Sequence, residues 1–144
     1  MVRVRFTILK SEFEEATRYC KANLSMPLQN QDKFVGKMLL WFAHQELWLE
    51  KQDNKEHKKF GVIKYPKLLF SDSYVIETDL KLTLYQNMMH DLQLNYPNLV
   101  NDNNKSITAF LAHLGYVFIK KASQGKADSG IVEAAKNISA IYST

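Results

Sequence analysis

The chain has 144 residues, of which 46% are hydrophobic, 12% aromatic and 24% charged, and its nineteen Lys and Arg against fifteen Asp and Glu give a formal charge of +4. That is enough apolar material for one folded domain, residues 1–144, with no need of a metal or disulfide, and too much for a disordered chain. Cys20 is the sole cysteine, which excludes an intramolecular disulfide and a cysteine-rich zinc site, and no stretch approaches membrane-spanning length.

Met1 to Leu9 alternates charged and apolar residues and lacks the continuous apolar core of a secretory signal, so a cytoplasmic protein without a membrane partner is expected; non-classical export suits the same sequence. Within that stretch Val2, Val4, Phe6 and Ile8 alternate with Arg3, Arg5 and Thr7, the period of a half-buried strand. Ser11 followed by Glu14 reads as a capping box opening a helix that buries Phe13, Ala16, Cys20 and Leu24 and ends at Met26-Pro27.

The next helix is expected from near Gln31 to about Glu50. Phe34, Val35, Met38, Trp41, Phe42, Trp48 and Leu49 span a face wider than a surface helix needs, and Leu40 and Leu47 lie on the opposite side, so this is the central helix. Lys33, Lys37 and His44 form one narrow polar stripe, where the helix meets water or a partner. From Lys51 to Lys67 the sequence turns lysine-rich, and Gly61 and Pro66 interrupt regular structure; Val62-Ile63 and Leu68-Leu69-Phe70 read as short strands or apolar pegs.

Tyr74 to Asn95 carries two patterns at once. Ile76, Leu80, Leu84, Met88 and Leu92 recur at helical spacing, whereas Leu80, Leu82 and Leu84 alternate as in a strand; a helix from about Asp79 is preferred, with a hairpin across Ser71-Asp72-Ser73 as the competing reading. After Tyr96-Pro97 and an Asn-rich connector, Ile107, Phe110, Leu111, Leu114, Val117 and Phe118 make one helical stripe, and Ile131, Ala134, Ala135, Ile138, Ile141 and Tyr142 repeat its offsets. Gln124, Gly125 and Lys126 join the two as a helical hairpin, with Ser106 capping the first helix and Asp128 or Ser129 the second. The backs of the two helices differ. Glu133, Lys136, Asn137 and Ala140 suit solvent, but Ala109, Ala112, Tyr116 and Ile119 are apolar on a second side, so that helix is either sandwiched between layers or faces another protein.

No catalytic, cofactor or metal motif emerges. The five glycines fit no dinucleotide or P-loop spacing, and His44, His57, His90 and His113 lack the short spacing of local metal chelation. Cys20 sits on an apolar stripe, where a thiol serves as a small hydrophobe. Glu12, Glu14 and Glu15 suit the positive end of a helix dipole. An enzymatic site would have to be assembled from scattered residues such as His90, Asp91 and His44.

The strongest functional candidate is the basic tract of Lys51, Lys55, Lys58, Lys59, Lys64 and Lys67 with Phe60 and Tyr65, which combines charge for phosphates with rings for unpaired bases. Arg3, Arg5 and Lys10, or Lys120, Lys121 and Lys126, extend it if the fold brings them together. The expected protein is a mainly α, single-domain bundle of about five helices closed by a C-terminal helical hairpin, with short strands at the N-terminus and between Gly61 and Phe70. Its expected role is a non-enzymatic binding module for nucleic acid or a nucleoprotein complex, without cofactor. The alternative is a protein-protein adaptor, inhibitor or homo-oligomer that works through the Ala109, Ala112, Tyr116 and Ile119 face.

Overall fold

A computed structural model describes residues 1–53, 72–96 and 104–143. The protein is mostly helical, with five helices and a two-stranded antiparallel sheet in the order β1 (Val2–Leu9), α1 (Lys10–Asn23), α2 (Gln31–Asp53), β2 (Ser73–Leu80), α3 (Leu82–Asn95), α4 (Asn104–Ser123) and α5 (Ser129–Tyr142). The expected short strands at Val62-Ile63 and Leu68 to Phe70, and the Ser71 side of the hairpin, lie outside the described residues.

α2 is the centre of the molecule. Phe34, Val35, Met38, Leu39, Leu40, Phe42, Ala43 and Leu47 are all buried, which covers most of the helix circumference, and α2 packs against α1, β2, α3, α4 and α5. The three residues of its polar stripe each meet a different neighbour: Lys33 Nζ reaches Asp79 Oδ2 of β2 (2.5 Å), Lys37 Nζ lies 4.8 Å from the centre of the Tyr142 ring on α5, and His44 Nε2 lies 3.7 Å from Asp91 Oδ2 on α3. The Lys33 hydrogen bond holds the Asp79 carboxyl below the usual carboxylate range.

α4 runs alongside α2 in the same direction, since Gly115 meets Leu39, Phe118 meets Phe42 and Lys121 meets Glu46. The Phe42 and Phe118 rings stack at 4.9 Å with 15° between planes, and Tyr19 of α1 and Trp41 approach Phe42 edge-on. Stacked and edge-on rings add to the area they bury, so this cluster ties three helices at one point. The backbones come closest at Gly115, where a β-carbon would stand 2.1 Å from the Leu39 carbonyl oxygen.

The face of α4 expected as an interface is covered from within. Ala109, Ala112 and Ile119 are buried in a helix that packs against β1 and α1 as well as α2; Tyr116 is half-buried. Of the two expectations for this helix, the sandwich describes these three residues.

The sheet places Val2, Val4, Phe6 and Ile8 opposite Leu80, Thr78, Ile76 and Tyr74, and Arg3, Arg5 and Thr7 opposite Asp79, Glu77 and Val75. Val4, Phe6, Ile8, Ile76, Thr78 and Leu80 are buried, which leaves Arg3, Arg5 and Glu77 on the exposed face. The N-terminal strand is thus as its alternation implies. Its partner corrects the expected helix from Asp79: the strand continues to Leu80 and the helix begins at Leu82. Asp79 is drawn into the sheet by Arg3 across from it and by Lys33 beside it; Leu84, Met88 and Leu92 keep their helical spacing in α3, whereas Leu82 and Leu84, read as alternating in a strand, lie in that helix and Ile76 and Leu80 lie in the strand.

Two caps also differ from expectation. α1 begins at Lys10 directly after β1, which places Ser11 inside the helix, and the capping position, Leu9, makes no side-chain hydrogen bond. Ser106 likewise lies inside α4. Asp128 does cap α5, its Oδ1 accepting from Ile131 N at 3.1 Å.

The joint at Gln124 to Lys126 is a tight turn that ends α4: Lys126 N donates to Lys121 O and Gly125 N to Ala122 O, with Gly125 at φ +70°, the left-handed conformation that glycine adopts without steric cost. The helix that follows makes its principal contacts with α2 rather than α4. Only Ala135 and Ser139 of α5 are fully buried, with Ile131, Ile138 and Tyr142 partly covered, whereas Ala134 and Ile141 of the expected stripe are exposed. A helix laid on one neighbour buries a narrower stripe than one wedged between two.

Gly115→Ala is expected to cost about 3 kcal/mol or more, because the clash is with main chain that cannot rotate away. Chemical denaturation should show a lower midpoint with an unchanged slope.

Candidate functional site

Lysines Lys120, Lys121 and Lys126 occupy the C-terminal end of α4 and the turn after it. That end is fastened to α2: Lys121 Nζ donates to Glu46 Oε1 at 2.5 Å, and the Glu46 side chain is 5% exposed against 46% for Lys121. A cavity of about 410 Å³ opens there, lined by Glu46, Leu49, Phe118, Lys121, Lys126 and Asp128. Glu46 and Leu49 precede the last turn of α2, and the chain beyond that helix continues into the lysine-rich tract.

Within the tract itself, the side chain of Lys51 and all of Lys55, Lys58, Lys59, Phe60, Lys64, Tyr65 and Lys67 lie outside the described residues. Arg3, Arg5 and Lys10 do not join Lys120, Lys121 and Lys126. Arg3 and Arg5 line a cavity with Thr108, near the start of α4, about 20 Å along that helix from Lys121. Lys10 Nζ instead lies 5.4 Å from the Tyr74 ring centre.

Among the described residues, three buried acids face a base on another helix. Besides Glu46 with Lys121, Glu12 Oε1 of α1 lies 2.8 Å from His113 Nδ1 of α4, and Asp91 of α3 approaches His44 of α2. A carboxylate only accepts, so Nδ1 of His113 carries the proton in that contact. Glu15 Oε2 accepts from the Tyr116 hydroxyl at 2.9 Å, which extends the α1 seam by one turn. Burial, then the hydrogen bond and charge of Glu15 and the charge of Glu12, push the Tyr116 phenol up to about 12. Glu12 stands in the first turn of α1, as its charge implies, and is buried there against His113 of α4.

These pairs explain the titratable side chains as fastenings between helices. His90 points to solvent although its neighbour Asp91 meets His44, since successive helical residues lie on different sides. Burial pushes the Cys20 thiol up to about 12, leaving almost no thiolate at neutral pH and matching its expected packing role. Among the described residues no three His, Cys, Asp or Glu side chains gather as a metal site.

The Glu12 and Glu46 pairs gave no sequence signal because their partners stand 101 and 75 positions away. Both acids retain a buried oxygen, Oε2, without a hydrogen-bond partner. Lys121→Met should therefore destabilise the protein by about 1–3 kcal/mol by stranding Glu46, whereas the double change Glu46→Leu with Lys121→Met should restore much of that loss. Paired denaturation curves distinguish the two.

Burial lowers the His44 pKa against an opposing pull from Asp91. The unfolded chain then takes up this proton more readily than the folded one. The contribution is present above about pH 6.5 and is lost as pH falls through the depressed folded value. Stability should decline with acidification in that window, and His44→Gln should flatten the decline in a pH series of thermal melts.

Comparison with protein families, characterised proteins and solved structures finds no match to this chain.

Proposed function

We propose that the chain is a non-enzymatic basic binding module that engages nucleic acid, alone or within a nucleoprotein complex, through the tract from Lys51 to Lys67 together with Lys120, Lys121 and Lys126. The observation that supports this reading is the Lys121 to Glu46 contact, which holds the lysine-bearing end of α4 beside the part of α2 that leads into the tract. If the tract lies near that end, ammonium groups from the two segments would match a phosphate backbone better than the same number spread evenly. Phe60 and Tyr65 within the tract supply stacking surfaces for unpaired bases, worth about 1–3 kcal/mol per base.

The adaptor reading that relied on the apolar back of α4 loses three of its four residues to the interior, since Ala109, Ala112 and Ile119 are buried. The basic end of the molecule needs no such rearrangement.

Titration against single- and double-stranded DNA and RNA at several salt concentrations tests the proposal. Binding should weaken steeply with salt, with a log-log slope reduced by about 0.7 for each phosphate contact removed on a single strand. Lys55→Glu, Lys58→Glu and Lys59→Glu together should abolish binding and leave the helical spectrum intact; Lys120→Glu with Lys126→Glu should weaken it on the same helical background. Absence of binding to every nucleic acid at low salt would overturn the reading.

A further inference from the structure

Among the described residues, Glu12 Oε2, Glu46 Oε2 and Asn95 Oδ1 are buried without a hydrogen-bond partner. An unmade hydrogen bond at a buried acceptor is costly, so each position calls for a physical account. Glu46, only 4% exposed, also lines the cavity of about 410 Å³ bounded by α2, the end of α4 and the start of α5. That volume lies in the range of small-ligand sites. Its walls are chemically mixed: Leu49 and Phe118 are apolar, Lys121 and Lys126 bring ammonium groups, and Asp128 is engaged at Oδ1 by the Ile131 N–H.

These polar groups define what a ligand there must offer. The Glu46 carboxylate accepts from Lys121 at Oε1 and keeps the lone pairs of Oε2, so it calls for N–H donors. The Lys121 ammonium gives one of its protons to Oε1 and has others for an acceptor beside the carboxylate. An acceptor next to two donors on one flat ring is the Watson–Crick edge of guanine, with O6, N1–H and N2–H. Adenine and cytosine bring a single donor to that edge, from the exocyclic amine, and uracil a single ring N–H. Only guanine gives the carboxylate two donors and the ammonium an exocyclic oxygen, and basic side chains on guanine are the commonest specific base contacts.

We propose that this cavity takes the base of an unpaired guanine nucleotide, the Glu46 carboxylate accepting from N1–H and N2–H and the Lys121 ammonium donating to O6, while the exposed Lys126 meets the phosphate. The assignment rests on the nucleic-acid reading above and adds to it a choice of base. A guanine within a duplex has this edge engaged by its partner, so the site selects single strands. A lone cation fits less well, since two ammonium groups share the lining with the carboxylates.

The test uses the full chain and single-stranded oligouridine RNA in which one central residue is varied, titrated by fluorescence anisotropy at fixed salt. Guanosine at that position should bind about tenfold more tightly than adenosine, cytidine or uridine. N1-methylguanosine, which has no N1–H, should lose this advantage, and inosine, which has no N2 amine, should lose part of it. 7-Deazaguanosine retains the Watson–Crick edge and should retain the advantage, whereas annealing a complementary strand should remove it. Glu46→Gln keeps an oxygen for Lys121 but turns the other acceptor into a donor; it should erase the preference while unmodified oligouridine still binds. Circular dichroism checks that this variant is folded, and the analogue series on the unaltered chain stands without it.

Equal binding of all four central bases would overturn the proposal and leave the nucleic-acid reading standing, whereas no binding of any oligonucleotide would overturn both. A guanosine preference that survives N1-methylation or Glu46→Gln would put the base elsewhere and overturn the proposal too. So would guanosine monophosphate that binds as tightly as the oligonucleotide, because the ligand would then be a free nucleotide.

Discussion

Gly115 lets α4 settle against the Leu39 carbonyl of α2, and the parallel run of the two helices follows from that approach. With the backbones this near, Phe118 stacks on Phe42 and Lys121 reaches Glu46, so one missing side chain sets the register of an apolar and an ionic contact further along the same seam. Any larger residue would lift α4 and break both alignments together.

A second principle organises the periphery. The α1, α2, α3 and α4 seams are apolar along most of their length, but each carries a buried acid that meets a base from across the seam: Glu12 with His113, Glu46 with Lys121, Asp91 with His44. Apolar packing tolerates small slides of one helix along another, whereas a buried carboxylate is costly to separate from its partner. The ion pairs therefore specify register more than they add stability. Among the described residues, Lys120 and Lys126 near the end of α4 and Arg3 and Arg5 of β1 are exposed charges outside these seams.

Much of the architecture was legible in the sequence because the deciding signals were local. Alternation of Val2 to Ile8 specified a strand, the broad apolar circumference of Phe34 to Leu49 specified a central helix, and Asp128 marked a helix start. The unpredicted features depended on distant residues. Asp79 and Leu80 fit a helix until Arg3, Val2 and Lys33 are placed beside them, and the place of Glu12 at a helix start gives no sign of His113, which meets it from 101 positions along the chain. Ala109, Ala112 and Ile119 announced a second apolar face, but periodicity carries no information on whether that face meets β1 or another protein. For the site, clustering of Lys51 to Lys67 was visible in one dimension, while the contact of Lys121 with Glu46 depends on residues 75 positions apart.

The pairing of Val2 with Leu80 has a kinetic side. β1 precedes α1 and α2 in the chain, its only strand partner among the described residues follows them, and α4, against which it packs, comes later still. Helical hydrogen bonds close within a turn, so α1 and α2 can form while β1 is still extended, its alternating valines and arginines in water. Closure of the sheet must wait for a loop that spans both helices, and the entropy of that closure places β1 among the late contacts. A strand that remains unpaired for so long is exposed to other edges in the meantime. Arg3 and Arg5 give it a positive charge throughout that interval, which keeps nascent copies of the chain apart until β2 arrives.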